Sequence, residues 1–118
     1  MRTVLVAEDN DVNRELIAEM LEAADYRVLH ARDGEEALAM LEKIRPDIVL
    51  LDMQMPKKDG LETLQAIRGH MLWRSLPVIA CTALAMQGER ESALQAGFDE
   101  YISKPISMVG LLKTLEMF

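Results

Sequence analysis

The sequence predicts an α/β protein built on one doubly wound, five-stranded parallel sheet with helices on both faces. Three observations carry this. Short apolar runs without alternation recur along the chain, as in strands buried on both faces. Segments with apolar residues at helical spacing fill the intervals. The two patterns alternate five times, and that alternation packs as a parallel sheet covered on both sides.

In chain order, Val4-Leu5-Val6-Ala7 reads as the first strand. Leu16, Ile17, Met20, Leu21 and Ala24 place one apolar stripe on a helix over residues 12–24. Arg27-Val28-Leu29-His30 alternates more and reads as an outer strand. Ala37, Leu38, Leu41 and Ile44 mark a second helix over 35–44, with Asp33 as N-cap and Glu36 three residues on. Asp47-Ile48-Val49-Leu50-Leu51 is the third strand, and Leu61, Leu64 and Ile67 mark the third helix. Val78-Ile79-Ala80-Cys81 is the fourth strand, followed by a helix over 86–96 that Gly97 ends. Glu100-Tyr101-Ile102-Ser103 is a weaker fifth strand. Val109, Leu111, Leu112 and Leu115 form the last helix, capped by Ser107. The most apolar strands, 1, 3 and 4, belong in the centre, which with right-handed crossovers gives the order 2-1-3-4-5.

Half of the 118 residues are hydrophobic, enough for one domain over 1–118 with one core. No effector domain is expected beyond the fifth helix. The lone cysteine, Cys81, allows no internal disulfide and fits a reducing, cytoplasmic setting, where it serves as a small buried hydrophobe. No apolar run is long enough to span a membrane, and the N-terminus lacks the h-region of a signal peptide. A net charge of -7 argues against a nucleic-acid surface. His30, His70 and the nine methionines read as structural. Trp73 reads as a cover for the sheet edge, and Lys57-Lys58-Asp59-Gly60 as a solvated turn.

In open α/β sheets, ligands bind beyond the carboxyl ends of the strands. There the sequence places Glu8 and Asp9 after strand 1, Asp52 at the end of strand 3, Thr82 after strand 4 and Lys104 after strand 5. Each has a plain reading. Glu8 to Asp11 can be a polar turn and helix cap, Asp52 a turn cap, Thr82 a β-branched strand end, Lys104 a solvated cation. Their joint arrival at one rim outweighs those readings. Crowded carboxylates repel, and a hard divalent cation such as Mg²⁺ relieves the repulsion. Asp52 can then accept a phosphoryl group, with Mg²⁺ and Lys104 neutralising the transferring oxygens and Thr82 bonding one of them.

The same residues carry a resemblance. Val6-Ala7-Glu8-Asp9-Asn10, Leu51-Asp52-Met53-Gln54-Met55-Pro56 with Asp59-Gly60, Cys81-Thr82-Ala83 and Tyr101-Ile102-Ser103-Lys104-Pro105 resemble, in order and spacing, the receiver domain of bacterial response regulators over the whole chain. That family has the flavodoxin-like (βα)5 fold with order 2-1-3-4-5, so topology and resemblance are not two independent indications. The resemblance implies a phosphorylation-dependent switch of a two-component system or phosphorelay, not an enzyme acting on an outside substrate. Asp52 would be the phosphoacceptor, served by a histidine kinase or a histidine phosphotransfer protein. Asp9, Asp52 and the Gln54 carbonyl would ligate Mg²⁺, or Mn²⁺ in its place. Glu8 stands where the family often has Asp and would act through a water. Thr82 and Tyr101 would be the switch pair, and the small Ala83 would leave the phosphoryl group accessible. Asn10-Asp11-Val12-Asn13-Arg14 and Ala96-Gly97-Phe98-Asp99-Glu100-Tyr101 are most similar to receivers of hybrid kinases and to single-domain regulators of cell-cycle type. By resemblance the kinase-facing candidates are Asn13, Arg14, Ile17 and Met20, with plain core an equal reading for Ile17 and Met20. The face made by helix 4, strand 5 and helix 5 would meet a downstream protein.

Three other functions compete. A phosphorylation-independent interaction module would lack Asp52, Lys104 or the acidic pair. A phosphatase with an aspartyl intermediate would carry a second Asp where Gln54 stands. A flavodoxin-like electron carrier would need a Ser/Thr/Gly-rich phosphate loop where Glu8-Asp9 stands, and those carboxylates would repel the flavin phosphate.

Overall fold

The computed structural model describes residues 1–55, 58–83 and 88–118. Five strands and five helices alternate: β1 (Thr3–Ala7), α1 (Asp11–Ala23), β2 (Arg27–Ala31), α2 (Gly34–Lys43), β3 (Ile48–Asp52), α3 (Gly60–Gly69), β4 (Val78–Thr82), α4 (Glu89–Ala96), β5 (Glu100–Ser103) and α5 (Met108–Leu115). All strand pairs are parallel and the order is β2-β1-β3-β4-β5, as expected.

The sheet separates two apolar cores. Leu5, Ala7, Val49, Leu51, Val78 and Ala80 pack against Leu41, Leu64, Ile67 and Ala93 on one side. Val4, Val6, Ile48, Leu50, Ile79 and Cys81 pack against Ile17, Leu21, Leu111 and Leu115 on the other. Successive residues of a strand point to opposite faces, so a strand covered on both sides must be apolar at every position. β3 and β4 are buried throughout, whereas β2, at the edge, is not.

Most helix starts are chemically marked. Asn10, Asp33, Asp59 and Ser107 each accept a main-chain N–H from three residues on. At α3 the cap is reciprocal, because Glu62 also accepts from the Asp59 N–H. Asp59-Gly60 is therefore a built helix start, not the solvated turn expected of it. The expected residues 86 and 87 of the fourth helix, together with Pro56 and Lys57, lie outside the described residues. Strand 3 runs one residue later than expected, so Asp52 is its last residue. Trp73 is buried within the first core and stacks on His70 at a centroid distance of 3.7 Å.

Candidate functional site

The parallel register brings the carboxyl ends of β1, β3, β4 and β5 to one rim. Glu8, Asp9 and Asp52 each present a carboxylate oxygen there, all within 4.8 Å of one another. Glu8 and Asp52 are buried, whereas Asp9 is exposed. Lys104 reaches in from the end of β5. Its ammonium lies 2.7 Å from Glu8 Oε2 and 3.2 Å from Asp52 Oδ2. Its main-chain N–H donates to the Thr82 carbonyl at 2.7 Å, which fixes where the side chain starts.

The ammonium cannot balance three carboxylates. Burial lifts the Glu8 carboxyl above its ordinary range, the hydrogen bond from Lys104 pulls it back in part, and the Asp52 charge pushes it further up. Burial alone would lower the Lys104 ammonium. Its hydrogen bond to Glu8 and the Asp52 charge outweigh that and hold it above its usual value.

Asp52 also keeps its plain role. Its Oδ1 accepts the Gln54 N–H at 3.1 Å, so it caps the turn after β3 while Oδ2 faces Lys104. Chain packing supports that position. A Cβ at Gly60 would sit 2.7 Å from the Asp52 carbonyl oxygen, so only glycine lets α3 start this close. The Gln54 side chain reaches across the rim and donates from Nε2 to Thr82 Oγ1 at 3.1 Å.

The remaining sequence candidates divide. Tyr101 is half-buried on β5, beside a cavity of about 140 Å³ that Met53, Ala93 and Phe98 also line. Burial raises its phenol above the ordinary value, with the Glu89 charge adding to it. Asn13, Ile17 and Met20 line a groove of about 390 Å³ that runs to Ala83, Lys104 and Pro105. Ile17 is at the same time a buried member of the second core. Arg14 does not join this groove; its side chain is only 11% exposed and turns inward.

Sequence reasoning missed Glu100. It is buried, and its carboxylate accepts two hydrogen bonds from the Arg90 guanidinium, each 2.9 Å long. It also accepts the Tyr101 N–H at 3.0 Å. The pair joins a helix to a strand across a turn, so no helical or strand periodicity announces it.

The sequence matches the response regulator receiver domain family over residues 4–116. The chain belongs to that family. Among curated relatives, the polar-differentiation response regulator DivK of Brucella anthropi is 38% identical over 117 residues, covering 99% of this chain and 95% of that protein. The receiver domain of a Pseudomonas aeruginosa sensor histidine kinase, solved with a magnesium ion in its active-site cleft, is 39% identical at a TM-score of 0.90. That match covers 98% of this chain and 95% of the other. A Vibrio cholerae chemotaxis protein is 31% identical at a TM-score of 0.91, covering 99% and 98%. As a receiver, the chain is a phosphorylation-dependent signalling module of two-component systems. Receivers bind Mg²⁺ at an acidic pocket and interact with histidine kinases and phosphotransfer proteins. Among the described residues no helix is long and apolar enough to cross a membrane.

Proposed function

We propose that Asp52 accepts a phosphoryl group from a phosphohistidine donor in a Mg²⁺-dependent reaction. The carrying observation is the convergence of Glu8, Asp9 and Asp52 on one rim with Lys104 between two of them. All three carboxylates are hard oxygen donors, which suits Mg²⁺. Asp9, Asp52 and the Gln54 carbonyl would hold the ion. Both Glu8 oxygens already accept bonds, from Asn10 N–H and from Lys104, which favours contact through water. When bound, the ion supplies positive charge to the oxygens of the transferring group.

The rest falls to the chain itself. A carboxylate oxygen of Asp52 attacks phosphorus, the donor's N–P bond breaks, and the imidazole leaves with that electron pair to take a proton. Lys104, already 3.2 Å from Asp52 Oδ2, neutralises the new charge. The product carries about -2 charge where a carboxylate carried one, with more acceptor oxygens. Thr82 answers by leaving its bond with Gln54 and donating to a phosphoryl oxygen. Tyr101 then turns inward and alters the face of α4, β5 and α5 toward a downstream protein. Moving such a switch from mostly off to mostly on needs roughly 5 kcal/mol of differential stabilisation, within reach of a few charge-assisted hydrogen bonds. The groove by Asn13, Ile17 and Met20 would receive the donor protein.

An acyl phosphate plus Mg²⁺ is expected to label the protein once, with an acid-stable, base-labile linkage. Asp52→Asn should take up no label; equal labelling of that variant would remove the assignment. Chelation of Mg²⁺ should stop uptake by the wild type.

A further inference from the structure

We propose that Arg14 is a positioning residue that clamps the turn carrying Glu8 and Asp9, and so sets the affinity of the acidic site for Mg²⁺. The proposal rests on the metal reading given above. Arg14 stands in the first turn of α1, where Val12, Asn13 and Glu15 are all exposed. Its own side chain is 11% exposed. A solvated arginine at a helix surface needs no explanation; a buried one does.

Its bonds supply the explanation. Nη1 donates to the Glu8 carbonyl at 2.8 Å, and the Arg14 main-chain N–H donates to the Asn10 carbonyl at 2.9 Å. The two carbonyls flank Asp9 in sequence. Asp9 itself is exposed, and its carboxylate makes no hydrogen bond among the described residues. The Asn10 carbonyl takes an ordinary helical bond that any residue at 14 would make, so the side chain's own hold on the turn before Asp9 is the Glu8 carbonyl. Nη2 closes the clamp on Asp11 Oδ1 at 2.6 Å, which also neutralises the guanidinium beside a cation site. Nε is buried without a hydrogen-bond partner. An orphaned buried N–H costs stability, so the side chain is not seated here for its own satisfaction. The planar fork reaches the Glu8 carbonyl with one nitrogen and the Asp11 carboxylate with the next in a fixed geometry; a lysine ammonium can touch two acceptors, as Lys104 does, but has no such preset fork.

Geometry and charge act on Mg²⁺ with opposite signs. Loosening the turn weakens binding. Removing a positive charge near the site strengthens it. The experiment titrates Mg²⁺ into the full chain and follows the Asp9 and Asn10 amides by NMR, for wild type, Arg14→Lys and Arg14→Ala. Arg14→Lys keeps the charge, so it isolates the clamp even if Arg14→Ala folds poorly. The expected result is about tenfold weaker Mg²⁺ binding in Arg14→Lys, the lower end of the loss seen when groups that orient metal ligands are removed; in Arg14→Ala the lost positive charge offsets part of that loss. Wild-type affinity in Arg14→Lys overturns the clamp. So does a lower melting temperature with an unchanged Mg²⁺ midpoint, which would leave Arg14 a plain stabilising contact. Asp9→Asn separates the two levels: if it binds Mg²⁺ as the wild type does, the metal reading fails and the clamp with it.

Discussion

The two ends of the sheet both hold a cation, and they use it differently. At the amino ends of β4 and β5, Arg68 of α3 donates to the carbonyls of Gly97, Arg74 and Leu76 and to the Asp99 carboxylate. Asp99 Oδ2 also accepts the Val78 N–H at 2.7 Å. One positive charge meets one negative charge, and neutral dipoles take the remaining guanidinium hydrogens. At the carboxyl ends, Lys104 faces Glu8 and Asp52 with Asp9 close by, and two negative charges remain uncompensated when all are ionised. The lower end is electrostatically complete and serves as a rivet. The upper end is incomplete, and its deficit is what a divalent cation and a transferring phosphoryl group can answer.

The largest expected effect tests the rivet. Arg68→Ala leaves the part-buried carbonyls of Gly97 and Leu76 without this donor and Asp99 with the Val78 N–H alone, which costs about 2–3 kcal/mol of stability in urea unfolding. Phosphoryl uptake per folded molecule should stay as in the wild type. If uptake falls while stability holds, the two ends are not separate in function.

A smaller effect sharpens the upper end. Lys104→Ala should cost about 1 kcal/mol in metal-free protein, since it leaves the carboxylates facing one another. Mg²⁺ should recover more stability in this variant than in the wild type, measured as the rise in melting temperature on adding the ion. The variant should still fold but lose the phosphorylation-dependent change at Thr82 and Tyr101. A chain that cannot fold without Lys104 would make that residue a rivet as well.

The smallest effect lies between the ends, at Arg90 and Glu100. The Arg90 hydrogen bonds hold the Glu100 carboxyl below its ordinary value of 4.5, against the opposing effect of burial. A lowered carboxyl stabilises the fold above its unfolded value and loses that contribution as pH falls through the folded one. The stability gap between wild type and Glu100→Gln should therefore be widest near neutral pH and close below pH 4.5. A gap that widens on acidification would mean that the charged form is not what the fold favours.

How much of this was legible in the sequence differs by residue. The alternation of strands and helices follows from local periodicity, because backbone geometry dictates which neighbours share a face. The caps at Asp33 and Ser107 act over three residues, so they too can be read along the chain. The topology of an open sheet then brings Glu8, Asp9, Asp52, Thr82 and Lys104 to one rim. Other features depend on distances between elements. Gly60 matters because α3 starts against the Asp52 carbonyl, and Gly34 because a Cβ there would collide with Thr63 Oγ1 and the Lys58 carbonyl. The inward turn of Arg14 and the Arg90–Glu100 pair have no local signature either. Patterning determined the fold and where its charges gather, since both depend on neighbours along the chain. Which carboxylates Lys104 touches, which carbonyl the Arg14 side chain grips and what Glu100 answers were decided only by tertiary packing, because hydrogen bonds depend on separations of tenths of an ångström that no periodicity encodes.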